Sequence, residues 1–595
     1  MVLKDKKLNY PRPQFIREKW KNLNGNWDFE FDDKNIGKIE KWYEKKSFSM
    51  KIEVPYVYQS KKSGININEQ HNIIWYKKKF IYDLSEKQEL LLHFEAVDYE
   101  SDVWINGIYL GKNIGGWTPF SFNLTHFLIE GENEITIRVE DYNKCTQLIG
   151  KQSWKDENFL CWYTRTVGIW QQVWLEEVGN YRIKEFKQTT DLGKSELTVD
   201  MHIEGASKKG TLVTKIFFES EIIREINIGV KNGRVKFTVD ISSNSPNFRV
   251  NYWSPSTPNL YDINFLLLDE EIKSDYVESY FGVRSIEAKN GMINLNTLNF
   301  YQKLILDQGY YEDSLMTATV AELYHDLKTI KEMGFNGVRK HQKIEDSRYM
   351  YLCDKLGLVM WAEMPSPFEF SIETMDNILR ELPLIIKKHW NHPSVIVYTL
   401  MNESWGVNEI YKSISQQNFV NSLYDIVKAY DNNRLIIGND GWEHVKTDIL
   451  AIHDYNSDFN SLKKSWNSKS EAILKPPSLT SMRQNFAENY TYSNQPIIIS
   501  EFGGIAYDNN SDNEFKDSWG YGDRPKSKNE AFERFKNLME TIMSIDYLSG
   551  FCYTQLTDVE QEVNGLLDYK HNSKFDIKLI RKILDSNHCN GFIFK

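Results

Sequence analysis

Apolar and polar positions alternate along the first half of this chain, and the alternation gives way to a different rhythm beyond Arg284. Short segments such as 26–31 (NWDFEF), 89–94 (ELLLHF), 101–105 (SDVWI) and 134–139 (EITIRV) are separated by turn residues. A period of two buries one face of a strand, so residues from Pro11 to about Val178 are expected to form an all-β sandwich. Asn106-Gly107, set between two such runs, predicts a tight hairpin. Residues 179–284 repeat the texture at 196–203, 212–218 and 235–239. That stretch has the size and strand spacing of an immunoglobulin-like sandwich.

After Phe281-Gly282-Val283-Arg284, apolar runs alternate with amphipathic helical segments, among them 321–333, 348–356, 419–430 and 531–545. Strands ending near Asp307, Arg339, Glu363, Glu403, Asn439, Tyr455, Glu501 and Gln555 give eight strand–helix units, enough for a closed (β/α)8 barrel. Two of those strands stand out. The run 395–401 (VIVYTLM) ends in Asn402-Glu403-Ser404-Trp405-Gly406, and the run 496–499 (PIII) ends in Ser500-Glu501-Phe502-Gly503-Gly504. Apolar runs of this kind are buried strands, and the C-terminal ends of parallel barrel strands are where chemistry is done. A pair of carboxyl groups facing one pocket is what glycosidic bond cleavage needs, one as acid and one as nucleophile or base. A strand-ending glutamate also serves as an ordinary cap, but Asn402 beside Glu403 supplies an amide for a sugar hydroxyl. Gly503-Gly504 lets the backbone approach a ligand closely.

These stretches, with His392-Pro393-Ser394 before the first and Gly334-Phe335-Asn336-Gly337-Val338-Arg339-Lys340-His341 earlier in the chain, resemble the acid/base, nucleophile and second-strand signatures of glycoside hydrolase family 2. Its members include β-galactosidases, β-glucuronidases and β-mannosidases. Residues 116–122 (GWTPFSF) and 168–175 (GIWQQVWL) resemble the sugar-binding-type jelly roll of that family, and 253–261 (WSPSTPNLY) resembles a signature of its second domain. The resemblance implies a multidomain β plus α/β chain. Its parts are an N-terminal jelly-roll β-sandwich over 1–178, an immunoglobulin-like β-sandwich over 179–284 and a catalytic TIM barrel, (β/α)8, over 285–595.

On that resemblance Glu501 is the nucleophile and Glu403 the acid/base, with Glu403 held protonated by burial and by the neighbouring negative charge. Arg339 is the candidate cation beside Glu501, against a salt bridge under the barrel rim. Asn402 would hold the 2-hydroxyl. Tyr455 would donate its hydroxyl to the nucleophile, with His453 as a further candidate. His341, Glu363, Trp405 and Trp519 are candidate supports for the substrate. The loop before the closing strand of the jelly roll adds Trp162 and Arg165, the latter also readable as a structural arginine. β-Glucuronidases read the sugar carboxylate with an Arg and an Asn-x-Lys after the eighth strand. Here the Arg position looks like Asp568, an acid where that subgroup has a cation, which favours a neutral sugar. Glu403 lacks the doubled Asn of β-mannosidases, which points to β-galactosides. Mannosides, pentosides such as arabinosides and, last, glucuronides are the alternatives, and a non-catalytic carbohydrate-binding protein is the alternative of another class.

Composition adds limits. With 595 residues, 41% hydrophobic, and a net charge of −11, the chain can bury several cores and carries no basic footprint for nucleic acid or an anionic membrane surface. Aromatic residues reach 14%, which suits both sugar stacking and sandwich cores. Cys145, Cys161, Cys353, Cys552 and Cys589 form no ligand spacing, and residues 508–514 lack the glycine of an EF-hand, so neither a metal nor an organic cofactor is expected. No apolar leader or membrane span is visible, which reads as cytoplasmic. The expected partner is a β-glycoside, and homo-oligomerisation is left open.

Overall fold

The computed structural model describes residues 4–84, 88–207, 209–242, 250–474, 483–508 and 517–586. In the first sandwich a six-stranded antiparallel sheet runs in the order Met50–Val54, Gly25–Phe31, Ile73–Tyr82, Gly131–Glu140, Glu100–Ile105, Ile108–Ile114. It faces a four-stranded sheet in the order Trp20–Asn22, Val173–Val178, Glu89–Phe94, Phe120–Asn123. Alternation sends Trp27, Phe29, Val103, Ile105, Ile135 and Ile137 inward against Leu90, Leu92, Phe94 and Val173. The hairpin forms as its turn residues dictate: Ile105 pairs with Ile108, and Asn106 and Gly107 take φ of +52° and +81°, the double positive φ of a two-residue turn. A period of two leaves the other face for solvent, yet Trp75, Trp104, Trp42 and Phe48 form a small second core there. Its cover includes Trp42, supplied by the short helix Trp42–Lys45.

The second sandwich sets three strands, Arg182–Asp191, Glu196–Glu204 and Arg234–Asp240, against four, Glu221–Gly229, Gly210–Phe218, Tyr261–Asp269 and Ile272–Phe281. Seven antiparallel strands in two sheets fit the immunoglobulin-like arrangement. Tyr261, Ile263, Phe265 and Leu267 alternate into its core, opposite Leu197, Val199 and Met201.

The barrel strands are Gln302–Asp307, Gly337–Lys340, Val359–Glu363, Val395–Thr399, Leu435–Ile437, Leu450–His453, Ile497–Gly503 and Leu548–Thr554. They form one sheet in the order 5-4-3-2-1-8-7-6, with neighbouring strands paired in parallel along it. Strands five and six are joined through a bridge from Gly441 to Ile452, which closes the ring. Helices between them start at side-chain caps. The helix Val320–Met333 opens with a Thr319/Glu322 capping box and stops at Gly334, whose φ of +102° suits glycine.

Residues 286–299 depart from the expected strand–helix rhythm. They fold into a small antiparallel sheet, Ile286–Lys289, Met292–Leu295 and Leu298–Asn299. Ile293 from this sheet and Trp253 from the preceding segment join Leu304, Val359, Trp361, Ile396, Leu435 and Ile498 in one apolar cluster. Each such fully buried side chain contributes about 1.5–3 kcal/mol through removal from water. The N-terminal end of the barrel is thereby sealed, and the C-terminal end is left for the site. Cys145, Cys161, Cys353 and Cys552 are free thiols, while Cys589 and most of the 508–514 loop lie outside the described residues.

Candidate active site

The fourth strand is buried on both faces from Val395 to Thr399, and the chain beyond it stays in register with the chain beyond the fifth. Asn402 bridges to Asp440, and the Glu403 amide donates to the Asp440 carbonyl at 2.9 Å. Glu403 and Ser404 then take φ of +53° and +61°, a left-handed conformation that non-glycine residues keep only where their surroundings enforce it. Ser404 supplies that hold, its amide donating to Asn439 Oδ1 at 3.0 Å and its hydroxyl to Glu443 at 2.6 Å. The turn aims Glu403 across the mouth of the barrel at Glu501 on the seventh strand. Ligand atoms of Glu403, His453 and Glu501 all lie within 4.8 Å of one another.

Arg339 organises the floor. Fully buried, it donates from Nη1 to Glu501 Oε1 at 2.7 Å, from Nη2 to Asn402 Oδ1 at 2.7 Å and from Nε to Glu363 Oε2 at 2.9 Å. Asp440 faces the same guanidinium at 3.5 Å. Burial works against its charge, but Asp440, Glu363 and Glu501 outweigh that and hold the guanidinium well above its ordinary value. Tyr455 donates its hydroxyl to Glu501 Oε2 at 2.5 Å. Burial and the Glu501 charge push that phenol well up, so it remains a donor.

His453 stands between the two glutamates. Its Nδ1 is 2.8 Å from Glu403 Oε1, and its Nε2 is 3.2 Å from Asp440 Oδ1 and 3.4 Å from Glu501 Oε1. Burial would lower its pKa, yet Glu501, Asp440 and Glu403 push it up to about 10. This changes the expected state of Glu403. Burial alone would raise the Glu403 carboxyl, but the His453 contact outweighs it and lowers the value. In the sugar-free site the proton therefore sits on the imidazole, shared with the carboxylate it touches. The Glu403 side chain is 23% exposed and that of Glu501 7%, so Glu403 is the one water can reach.

Other candidates fall into place or out of it. Glu363 is fully buried beneath Arg339, out of reach of a sugar hydroxyl. Burial pushes it up to about 8 despite Arg339, with Asp440 and Glu501 adding to the rise. His341 bonds the same Glu363 carboxylate at 3.1 Å, and burial with the Arg339 and Lys151 charges holds it well below its ordinary value, a neutral ring. Trp405 and Trp162 meet edge to face at 5.1 Å, joined by Phe368, Trp154 and Phe159, so the sandwich loop does reach the barrel mouth. Trp519 donates from Nε1 to the Leu160 carbonyl at 2.7 Å on that loop.

Arg165 takes the structural role, and Asp568 lies apart from the two glutamates' contacts. Arg165 is spent inside the sandwich on Asn72, Gln70 and Asp141, because a buried guanidinium needs those acceptors. Asp568 folds back on its own turn, accepting from the Lys570 and Asn572 amides. The glycines after Glu501 also serve another purpose. A Cβ on Gly503 would lie 2.4 Å from the Tyr553 ring and one on Gly504 2.3 Å from the Tyr521 ring. They clear space for aromatic side chains, and Tyr521 stacks on Tyr455 at 3.5 Å between ring centroids.

Asp440, Lys151 and Glu562 were not anticipated as site residues. Asn439-Asp440-Gly441 at a strand end was the visible signal for the first. The trio Glu403, His453 and Glu501 has the composition to hold a divalent ion, but Arg339, Tyr455 and the imidazole already balance and bond its carboxylates, and we assign it no metal.

Three family descriptions match consecutive stretches: the sugar binding domain of glycosyl hydrolases family 2 over residues 20–179, glycosyl hydrolases family 2 over 181–284, and its TIM barrel domain over 315–519. The chain belongs to glycoside hydrolase family 2. A putative β-glucuronidase of Formosa agariphila is 27% identical over 443 residues, covering 71% of this chain and 51% of that protein. A β-galactosidase of Thermoanaerobacter pseudethanolicus is 24% identical over 431 residues, covering 69% and 53%. This family 2 chain thus spans about half the length of these curated relatives. Among solved structures, a β-glucuronidase from an uncultured Clostridium sp. superposes with a TM-score of 0.78 at 18% identity, covering 96% of this chain and 99% of that one. A family 2 β-galacturonidase from Eisenbergiella tayi, bound to glycerol, gives 0.73 at 17%, covering 98% of each chain. At such identities the likeness is one of fold.

Proposed function

We propose that this family 2 chain is an exo-acting retaining β-glycosidase that hydrolyses terminal non-reducing β-D-galactosides. The observation that carries the reading is the approach of the two carboxylates, whose ligand atoms lie within 4.8 Å. Retaining enzymes hold theirs about 5–5.5 Å apart, whereas inverting ones leave room for a water between them. Glu501, clamped by Arg339 and Tyr455, attacks the anomeric carbon as the aglycone oxygen takes a proton from Glu403. That proton is drawn from the Glu403–His453 pair, which carries one proton between its two members. Once the glycosyl–enzyme has formed, the pair takes a proton back from water as the water attacks, and Glu501 leaves as a carboxylate. Asn402, its Oδ1 held by Arg339, turns its amide N–H groups to the sugar's 2-hydroxyl.

For the sugar, several of the sequence relatives bear the name β-galactosidase, and Lys574 of the Asn572-Ser573-Lys574 stretch after the eighth strand is bonded to Asp558 Oδ1 at 2.6 Å. A β-uronide is the competing reading, favoured by a buried Lys151 whose charge acts on both Glu403 and Glu501. Glu562 beside it offsets that cation, which favours the neutral sugar. The test is a panel of nitrophenyl glycosides covering β-galactoside, β-mannoside, arabinoside and β-glucuronide. The galactoside should turn over fastest, with Glu403→Gln and Glu501→Gln inactive but folded. Turnover of none of them, with sugar binding retained, would instead support a binding protein.

A further inference from the structure

Lys151 lies in the first sandwich's sequence and not in the barrel, on a segment that crosses to the barrel mouth. Its position is enforced by backbone contacts. Gly150 donates to the Ser366 carbonyl at 3.1 Å, and the Lys151 carbonyl accepts from Tyr163 at 2.8 Å. Gly150 itself takes a φ of +63°, and a Cβ there would lie 2.6 Å from the Gln342 carbonyl, so only glycine lets the segment pass. The Lys151 residue is 7% exposed, with its ammonium 5.7 Å from the Trp162 ring centroid and 5.8 Å from that of Tyr163.

A buried ammonium requires compensation. Among the described residues no carboxylate oxygen forms an ion pair with Lys151, though Cys161, which also hydrogen-bonds it, and then Glu562 and Glu501 outweigh burial to raise its pKa. Burial pushes the Cys161 thiol up to about 11, so at neutral pH it offers no charge. Glu562 follows the eighth strand and is held from both sides, accepting from the Tyr163 hydroxyl at 2.6 Å and from Asn564 Nδ2 at 3.0 Å. A charged donor and a held carboxyl group thus stand at the same mouth, supplied by different parts of the chain, with the donor not paired to any carboxylate.

Resting on the glycosidase reading above, we propose that Lys151 and Glu562 form a donor–acceptor pair that reads one hydroxyl of the bound sugar. The ammonium donates to the hydroxyl oxygen, and the carboxylate accepts its proton. Specificity is then shared between the sandwich and the barrel.

The test compares wild type and Lys151→Met on nitrophenyl β-galactoside and on its monodeoxy forms, with the β-glucuronide alongside and melting curves for both proteins. Losing a hydrogen bond to a charged group should lower kcat/KM on the parent sugar by roughly 10- to 100-fold. On one monodeoxy substrate the two proteins should agree to within about twofold. Glu562→Gln should lose its effect on the same deoxy substrate, which keeps the test decisive if Lys151→Met folds poorly. An equal loss on every deoxy form, or no loss, overturns the pair. A loss confined to the glucuronide overturns the hydroxyl in favour of a carboxylate. If wild type prefers another neutral glycoside, the galactoside reading fails alone, and the same cycle on that sugar's deoxy forms still tests Lys151.

Discussion

At the N-terminal end of the barrel, Leu304, Val359, Ile396, Leu435 and Ile498 close on Ile293 and Trp253 in a cluster without charge. At the C-terminal end the same sheet carries Arg339, Glu363, His453 and Glu501, all buried and all ionisable. The apolar end is stabilised by burial that any well-packed side chains would supply. The polar end is held by a single guanidinium bonded to Glu501, Asn402 and Glu363, where replacing the charges with apolar groups would often cost nothing in stability. Such charges persist where they serve a reaction. Substitutions at the two ends should therefore separate activity from stability.

The largest effect is expected from Glu501→Gln, a loss of kcat on the order of 10⁴–10⁶-fold, with a melting temperature near that of wild type. Glu403→Gln should lose about 10²–10⁴-fold, less on substrates with good leaving groups, which separates the acid from the nucleophile in steady-state kinetics. Tyr455→Phe removes one donor to the nucleophile and should lower kcat by about 10²–10³-fold. His453→Gln should act through pH. With His453 pushed up to about 10, the Glu403–His453 pair keeps its proton to high pH, so the basic limb of kcat/KM should lie near there. Without the imidazole the proton is held by Glu403 alone, and that limb should move to lower pH; an unmoved limb removes His453 from the proton's path. The smallest effect on activity belongs to Trp253→Ala. Trp253 is fully buried and donates to the Asp354 carbonyl at 2.8 Å, so its loss should cost about 3–5 kcal/mol of stability while kcat in the remaining folded protein stays close to wild type. A large drop in kcat there would break the division between the two ends.

The same division explains what could be read from the chain. Runs such as 395–399 and 497–499 are buried on both faces, so their composition announces strands, and polar residues at their ends announce the site. Glu403 and Glu501 were visible for that reason, and Arg339, Asn402 and Tyr455 sit at equivalent strand ends. Lys151 and Glu562 were not visible, since their meeting depends on how a sandwich loop and the segment after the eighth strand dock. Nor was the state of Glu403, which follows from an imidazole fifty positions away in the chain. The sheet at 286–299 escaped notice because strands that short carry no period of their own.

The most direct measurement of the central claim is the anomeric form of the first sugar released, followed by proton NMR during hydrolysis of a nitrophenyl β-galactoside. Two carboxylates this close should pass the sugar through a bond to Glu501 and release the β anomer first. Release of the α anomer would mean that water attacks directly, and the account of Glu501 as nucleophile would be wrong.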